Sequence, residues 1–554
     1  MLRAGADRLA GRWSLALVAG LVAWTALALA VDNGLFGVFQ DDGLYLSSAR
    51  SLRDGGGFGL PGRPGAPPPK YPIGLPAILA LVLKLDPGPA SLAREVAVAR
   101  WLVVAGGWGF FLAAFVWLRR VGTGPPLACA IVLATAFHHV VLIGGAATLF
   151  ADLPFAALTY ALLARWAGPR RGHWGGAAVD GALAGFGFLL RTNGVTLVAA
   201  ALVAAGLGRG GRGARAIRWR PALVALLAAS AVAVPATWYA GRHPRVVPSN
   251  SYLLELRAGW SSPLAGLGVV GRNLGSVVLD LPTRVLASPT TYVDALHRRF
   301  EGSPLAAGLV RGACSLVVAV GLVRLARATR RRDLPAWAHA LGTVAIFAVW
   351  PWNGILDRFT ITLFPMVLLA FARGVGAIAG LAPGLADARR APARARLAAL
   401  AVGLALAGNA AVAGRAVHFF RTHGGQWPGA PDRHDQARAL TLIRERTEPD
   451  AVIASAWPEL VWLHTGRTSV PIFEDEALLT GKFGDVGRLR LWLRQVEGRP
   501  FYFLHRAKPE DADLNDDRQV AALTAPGSGL AVRPVAQVPS GHYRISRLVA
   551  DPAR

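Results

Sequence analysis

The sequence is poor in charged residues and in cysteine, and each scarcity excludes a class of protein. Only 17% of its 554 residues are charged, whereas 53% are hydrophobic, and soluble globular proteins carry about a quarter charged residues. The two cysteines, Cys129 and Cys314, are too few for a disulfide framework or a cysteine-based metal site. A lipid bilayer is therefore the expected solvent, and thiol redox chemistry is not expected.

Lysine is also scarce, and nearly all of the basic residues are arginine. The net charge of +26 would ordinarily suggest a nucleic-acid partner, but the basic residues form short clusters between apolar runs. Such clusters are typical of membrane topology, so no nucleic-acid partner is expected. A lysine at a candidate site, such as Lys70, therefore carries more information than an arginine would.

Eleven apolar runs are long enough to cross a hydrocarbon core of about 30 Å. They cover 13–31, 98–118, 126–144, 149–166, 177–191, 193–208, 221–240, 305–326, 336–351, 357–379 and 397–417. The first run follows several arginines but lacks a convincing cleavage site, so we expect a retained helix rather than a signal peptide.

One further apolar segment, 71–85, is short and contains two prolines. If it does not cross the membrane, the arginine clusters between the runs all fall on the side of the N-terminus, as the positive-inside rule requires. We therefore predict a re-entrant or interfacial helix. The same parity places outside the loop 32–70, the turns near 145–148 and 192, the loop 241–304 and the region beyond about 420.

The C-terminal region changes character to short apolar strands alternating with helical patterns. The expected strands are 451–455, 501–505 and 542–549, and the expected helices are 432–447 and 485–496. The predicted fold is thus an all-α polytopic membrane domain, 1–420, followed by a small soluble α/β domain, 421–554.

The candidate acidic residues lie in the segments predicted to be outside. Asp41 and Asp42 begin a helical pattern that includes Tyr45, and they are either reactive carboxylates or a helix cap with a solvated neighbour. Asp152 opens the fourth span with no basic residue within a helical turn. It is either an N-cap or faces a polar cavity, because an unpaired aspartate at a helix centre costs about 2.5–3.5 kcal/mol.

The candidate basic residues suit an anion, because a guanidinium presents a bidentate fork to phosphate oxygens. Arg191, close to Asn193, and Arg358, beside Asp357, interrupt apolar stretches at two outer turns. Snorkelling of Arg191 and a surface pair of Arg358 with Asp357 are the alternatives. Lys70, before Tyr71, is either a phosphate contact or an interfacial anchor.

A histidine pair offers a further alternative. His138 and His139 lie near the outer end of the third span. They either join Asp152 in a metal site or have a packing role.

The order of these pieces resembles a known family. The segments are Asp41-Asp42-Gly43-Leu44-Tyr45, 70–76, 151–155, 187–191 and 357–365. Together they resemble the C-type (GT-C fold) membrane glycosyltransferases that use polyprenyl-phosphate sugars, including protein mannosyltransferases and the aminoarabinose transferases of lipid A.

The resemblance implies roles for the candidate residues. Asp41 or Asp42 would be the general base or would help to hold a divalent metal, possible ligands of which are Asp41 and Asp152. Asp152 would be the second acidic position. The residues implied at the donor phosphate are Lys70, Arg191 and Arg358, and those implied at the substrate are Tyr45, Tyr71 and Asn193.

The implied reaction transfers a sugar from a polyprenyl-phosphate donor to a lipid, glycan or protein acceptor, by inverting single displacement, on the outer face of a bacterial plasma membrane. The N-terminus would then be cytoplasmic and the C-terminal domain extracytoplasmic. The rival interpretations are a transporter or lipid-linked-sugar flippase and a non-catalytic scaffold. Transporters usually place charges near the bilayer midplane and often have matching halves, whereas here the charges gather at one face.

Overall fold

The structure is a computed structural model, and it describes most of the chain. The described residues are 2–31, 36–37, 41–62, 71–88, 91–146, 148–168, 174–206, 219–241, 256–257, 260, 262–287, 304–330, 333–351, 356–381, 391–422, 433–472, 487–506 and 516–550. Lys70 lies outside them.

The α-helices account for most of the described residues. They are α1 (Leu2–Ala30), α2 (Asp41–Arg53), α3 (Gly74–Leu85), α4 (Leu92–Arg120), α5 (Pro125–Ala136), α6 (Asp152–Ala167), α7 (Trp174–Leu190), α8 (Val195–Gly206), α9 (Trp219–Gly241), α10 (Pro263–Gly275), α11 (Leu281–Ala287), α12 (Pro304–Ala328), α13 (Leu334–Val349), α14 (Leu356–Phe359), α15 (Phe364–Ala379), α16 (Ala391–Thr422), α17 (Arg433–Arg446), α18 (Pro458–Thr465), α19 (Gly487–Gln495) and α20 (Asp516–Leu523).

Two π-helical and two 3-10 segments adjoin these helices. The π-helices are Val140–Ala146 and Ser276–Asp280, and the 3-10 helices are Thr192–Gly194 and Ile361–Leu363.

The chain divides into two compact units. The first comprises Met1–Asp32, Arg100–Ala236 and Leu267–Thr422, and the second comprises Asn33–Ala99, Thr237–Gly266 and His423–Arg554. The second unit thus combines the C-terminal segment, predicted as a separate domain, with the first loop and α2 and α3.

The predicted spans all coincide with helical segments, so the predicted all-α membrane architecture is confirmed. Within the described residues, seven helices are long and apolar enough to cross a membrane, and six of them match predicted spans. The other five predicted spans are shorter helices. The span predicted at 126–144, for example, is interrupted between α5 and the π-helix that follows it.

The seventh of these helices, Pro263–Leu286, lies within the segment predicted as a long outer loop, 241–304, and was not predicted. Its mean hydropathy of 1.3 is the lowest of the seven, because Asn273 and several charged residues interrupt the apolar run. The Asn273 side-chain amide donates to the carbonyls of Phe347 (2.9 Å) and Trp350 (2.5 Å). The Asn273 amide, which lowers the mean hydropathy of this helix, is therefore hydrogen-bonded to the end of α13.

A mixed five-stranded sheet forms the C-terminal part of the second unit. Its strands are β1 (Val452–Ser455), β2 (Thr468–Pro471), β3 (Phe501–Arg506), β4 (Leu530–Gln537) and β5 (Tyr543–Ala550), in the order β2-β1-β3-β5-β4. β1 is parallel to β2 and β3, and β5 is antiparallel to β3 and β4. The predicted C-terminal α/β fold is confirmed.

Both faces of the sheet are covered, as the apolar character of its central strands requires. Every residue of β3 is buried. One face packs against Trp492 of α19, and the other packs against Ile443 of α17. The helices predicted at 432–447 and 485–496 supply these two layers.

Candidate functional site

The first loop of the second unit leads into α2 with two carboxylates in its first turn. Asp41 is 8% exposed and Asp42 is fully buried. The alternative of a solvated carboxylate is therefore wrong for both residues. The two side chains differ in their contacts, which separates their possible roles.

Asp41 is brought together with two of the tyrosines expected at the substrate. The Tyr71 hydroxyl donates a hydrogen bond of 2.5 Å to Asp41 Oδ1. The Tyr71 and Tyr45 rings lie 5.5 Å apart, centroid to centroid. A long Gly/Pro-rich stretch of sequence separates Tyr71 from Asp41 and Tyr45, which are both in α2. Their proximity therefore depends on the packing of α2 against the segment that leads into α3.

Asp42 is held by backbone amides instead. Gly37 N donates to Asp42 Oδ2 (3.0 Å), and Gly43 N donates to Asp42 Oδ1 (2.8 Å). Burial raises the pKa of Asp42 to about 7, and the nearby Asp41 charge adds to this, although the two amide hydrogen bonds act in the opposite direction. A carboxyl with such a pKa is suited to proton transfer, but its oxygens face the interior of the unit.

The C-terminal segment packs directly against this loop. A Cβ on Gly43 would lie 2.6 Å from Glu459 Cβ, and a Cβ on Gly37, whose φ is +103°, would lie 2.9 Å from Leu460 Cα. His464 also contacts the Phe36 carbonyl, at 3.0 Å. Helix α18 therefore closes over the Asp42 side of the loop, which sequence reasoning missed because neither segment carries a motif that names the other.

A third carboxylate of this unit is held by two arginines. Glu95, in the first turn of α4, accepts hydrogen bonds of 2.6 Å from Arg50 Nε and from Arg53 Nη1. Its side chain is 6% exposed. The Arg50 guanidinium also lies 5.5 Å from the ring centroid of Trp462. This ion cluster joins α2, α4 and α18 and was not predicted from the sequence.

In the first unit, three of the predicted site residues come together. Asp152 Oδ1 is ion-paired with Arg191 Nη1, and Asp152 Oδ2 lies 3.6 Å from Arg358 Nε. The Asp152 side chain is only 3% exposed. The N-cap position of α6 is occupied by Ala151, and Asp152 is the first residue of the helix. The N-cap alternative is therefore wrong, and the basic partners missing from its own helical turn come from two other turns.

The Arg191 turn has a glycine where no side chain fits. Gly194 N donates to the Arg191 carbonyl (2.8 Å), which closes the 3-10 turn between α7 and α8. A Cβ at Gly194 would overlap the backbone of Gly187. The Asn193 carbonyl accepts from Thr196 (2.8 Å), and Asn193 Oδ1 is buried without a hydrogen bond to any described residue. Arg191 is 11% exposed, so the snorkelling alternative does not describe it.

Aromatic rings support both guanidiniums. The Arg358 guanidinium carbon lies 4.0 Å from the Phe150 ring centroid and 4.9 Å from that of Phe359. The Arg191 guanidinium carbon lies 4.6 Å from the same Phe359 ring. Cation–π contacts of this kind hold an arginine in place without using its N–H donors.

The described residues do not fit a metal site. Among them, no three His, Cys, Asp or Glu side chains are grouped as metal ligands would be. Asp152 already has guanidiniums against both of its oxygens. His138 Nε2 contacts the Arg284 carbonyl (2.9 Å), and His138 Nδ1 accepts from Val140 N (3.2 Å). Both ring nitrogens of His138 thus contact backbone groups.

No protein-family model and no curated protein sequence matches the chain. Solved structures do match. ArnT from Cupriavidus metallidurans bound to undecaprenyl phosphate has a TM-score of 0.53 and 14% identity, over 97% of this chain and 98% of that one. The chain has the C-type glycosyltransferase fold.

Two further structures share this fold. The apo state of the same ArnT has a TM-score of 0.54 and 15% identity. The archaeal oligosaccharyltransferase AglB from Archaeoglobus fulgidus, in complex with an inhibitory peptide and a dolichol-phosphate, has a TM-score of 0.50 and 14% identity, over 97% of this chain and 74% of that one. The resemblance found in the sequence motifs is therefore confirmed at the level of the fold.

Proposed function

We propose that this chain is a membrane glycosyltransferase that transfers a sugar from a polyprenyl-phosphate donor to an extracytoplasmic lipid, glycan or protein acceptor. The fold supports this proposal, because it is shared with an ArnT bound to undecaprenyl phosphate and with an AglB in complex with a dolichol-phosphate. The N-terminus is then cytoplasmic, and residues 421–554 are an extracytoplasmic domain.

The observation that carries the proposal is the group of Arg191 and Arg358 on the buried Asp152 carboxylate. One carboxylate against two guanidiniums leaves one positive charge. That charge matches the single negative charge of a phosphodiester donor, and guanidinium N–H groups are the preferred donors to phosphate oxygens. Asp152 holds the two arginines, which bind the donor phosphate and stabilise it as it leaves. Lys70 is a further proposed contact of that phosphate.

Asp41 is the proposed general base. Geometry takes precedence over pKa in choosing a base, and Asp41 retains some exposure whereas Asp42 has none. The Tyr71 hydroxyl donates to Asp41 Oδ1 and thereby orients the carboxylate. Asp42 then has the structural task of fixing the loop through Gly37 and Gly43.

The reaction follows from these roles. The acceptor hydroxyl gives its proton to Asp41, and its oxygen attacks the anomeric carbon. The bond from that carbon to the phosphate oxygen breaks, and polyprenyl phosphate leaves with the bonding electrons. A single displacement of this kind inverts the anomeric configuration. Tyr45 and Asn193 are proposed substrate contacts.

Transfer of radiolabelled sugar from polyprenyl-phosphate donors in membranes tests the proposal. Asp41→Asn is expected to lower turnover about 100-fold or more, as loss of a general base does. Asp42→Asn is expected to keep most of the turnover. Arg191→Gln and Arg358→Gln are expected to weaken donor binding. Asp180→Asn, in the first half of α7, is the matched control.

The transfer assay tests both the choice of Asp41 as the base and the choice of a transferase over a flippase. Full transfer by Asp41→Asn, or loss in Asp42→Asn with normal folding, would refute Asp41 as the base. Absence of transfer by the wild type with every donor, together with movement of labelled lipid-linked sugar across vesicles, would indicate the flippase instead.

A further inference from the structure

A cavity of the first unit extends to the helix ends opposite Asp152. Its volume is about 750 Å³, within the range of ligand-binding pockets. Arg358 lies shortly before α15, whereas the cavity lining runs from Met366 in the first turn of α15 to Gly380 just after its end. The arginine that α15 contributes, Arg373, is the tenth residue of this helix. At about 1.5 Å per residue, it lies roughly 14 Å along the axis from the helix start.

The lining of this cavity combines apolar walls with a cationic rim. The walls include Leu322, Leu369, Trp117 and Trp337. The Trp337 indole N–H is itself occupied by Thr329 Oγ1, at 2.9 Å. The walls therefore favour hydrocarbon over a hydrated ion.

Four arginines from three helices form the rim. They are Arg324, Arg327, Arg373 and Arg394, of which the first three are exposed and the last is half-buried. Within the described part of the chain, none of the four has an ion pair. The one acidic residue of the lining, Asp333, accepts instead from the backbone N–H of Arg330 (2.9 Å). Four guanidiniums against one carboxylate leave three positive charges.

We propose that this cavity binds an anionic glycerophospholipid, with its acyl chains against the apolar walls and its phosphate among the arginines. Charge complementarity selects an anionic headgroup, and basic pockets between membrane helices bind such headgroups. The positive-inside distribution places this end of the helices in the cytoplasmic leaflet. The site is separate from the donor-phosphate arginines, and it does not depend on the proposed transferase activity.

Calorimetric titration of the detergent-solubilised full chain tests this site. The probes are dioctanoyl phosphatidylglycerol, dioctanoyl phosphatidylcholine and inorganic phosphate. The wild type is expected to bind phosphatidylglycerol at least tenfold more tightly than phosphatidylcholine and not to bind inorganic phosphate at millimolar concentration. Arg324→Gln and Arg373→Gln should each weaken phosphatidylglycerol binding about fivefold.

Two further variants separate the cavity from general surface charge. Arg396→Gln, on the same helix as Arg394 but outside the lining, should bind phosphatidylglycerol like the wild type. Ala336→Trp fills the cavity without changing its charge and should abolish binding. Equal affinity for the two lipids, tight binding of inorganic phosphate, or unchanged binding by Ala336→Trp would each overturn the proposal. Tryptophan fluorescence melting of each variant verifies that it is folded.

Discussion

Replacement of Asp42 by asparagine should change stability in opposite directions at low and at high pH. Burial raises the pKa of this carboxyl from 3.8 to about 7, so the folded protein keeps a proton that the unfolded chain releases. The stability contributed by the neutral carboxyl is complete below pH 3.8 and is lost as the pH rises to 7. The loss is about 4 kcal/mol, because roughly three pH units at about 1.4 kcal/mol each separate the two pKa values.

Asparagine removes the cost of ionisation but loses an acceptor. The two Asp42 oxygens accept hydrogen bonds from the backbone N–H groups of Gly37 and Gly43. In asparagine, an NH₂ group replaces one of these oxygens and cannot accept a hydrogen bond. One unsatisfied buried donor costs about 1–3 kcal/mol. The variant should therefore be less stable than the wild type by about that amount below pH 4. Above pH 7 it should be more stable by about 1–3 kcal/mol, the difference between the two effects.

Thermal unfolding in detergent, followed by tryptophan fluorescence between pH 4 and 8, measures this difference. The melting temperatures of Asp42→Asn and the wild type, plotted against pH, should cross between about pH 4.5 and 6. Asp54→Asn is the control, because Asp54 is exposed and its contact with Arg53 lowers its pKa. That variant should show no crossing above pH 5. A constant melting-temperature difference between Asp42→Asn and the wild type at every pH would refute the reasoning.

Three further predictions concern the packing around the candidate residues. Glu95→Gln should cost about 3 kcal/mol, because it leaves two partly buried arginines without their carboxylate, whereas Asp54→Asn on the exposed side of the same cluster should cost at most about 1 kcal/mol; chemical unfolding compares them, and equal effects would contradict the burial argument. Tyr71→Phe should lower kcat about tenfold with little change in acceptor KM, and steady-state transfer kinetics would expose an unchanged kcat. Gly194→Ala should lower the melting temperature and donor affinity because its Cβ overlaps the backbone, whereas Gly175→Ala, with open space around its Cβ, should be neutral or slightly stabilising; identical melting of these two variants would count against the tight turn.

The membrane helices could be predicted because their signal is local. A run such as 98–118 identifies itself by apolar length alone, and α4 covers it. The helix at 263–286 was missed because the prediction relied on this local signal. Asn273 lowers the hydropathy of the segment, although its side chain is hydrogen-bonded to Phe347 of α13. In the C-terminal region, the buried β3 was found, whereas β4, with its mixed burial, was not.

The ion pairs could not be predicted, because their partners are distant in sequence. Asp152 looks unpaired along its own helix, yet the fold brings Arg191 and Arg358 to it. Glu95 carries no motif, and its two arginines lie across an intervening loop and helix. Sequence reasoning listed Asp152, Arg191 and Arg358 as candidates but had no means of pairing them, because pairing is decided by helix packing.

The environments of the three aspartates suggest how their tasks are divided. Asp42 is buried, accepts hydrogen bonds from backbone amides and is neutral over much of the acidic pH range. Its proposed task is to stabilise the loop. Asp152 has two guanidiniums against its carboxylate, and its proposed task is to hold them. Asp41 alone combines residual exposure with a hydroxyl donor that orients it. A reaction that needs one base and a cationic site for phosphate therefore has a candidate for each role, with Asp41 as the proposed base.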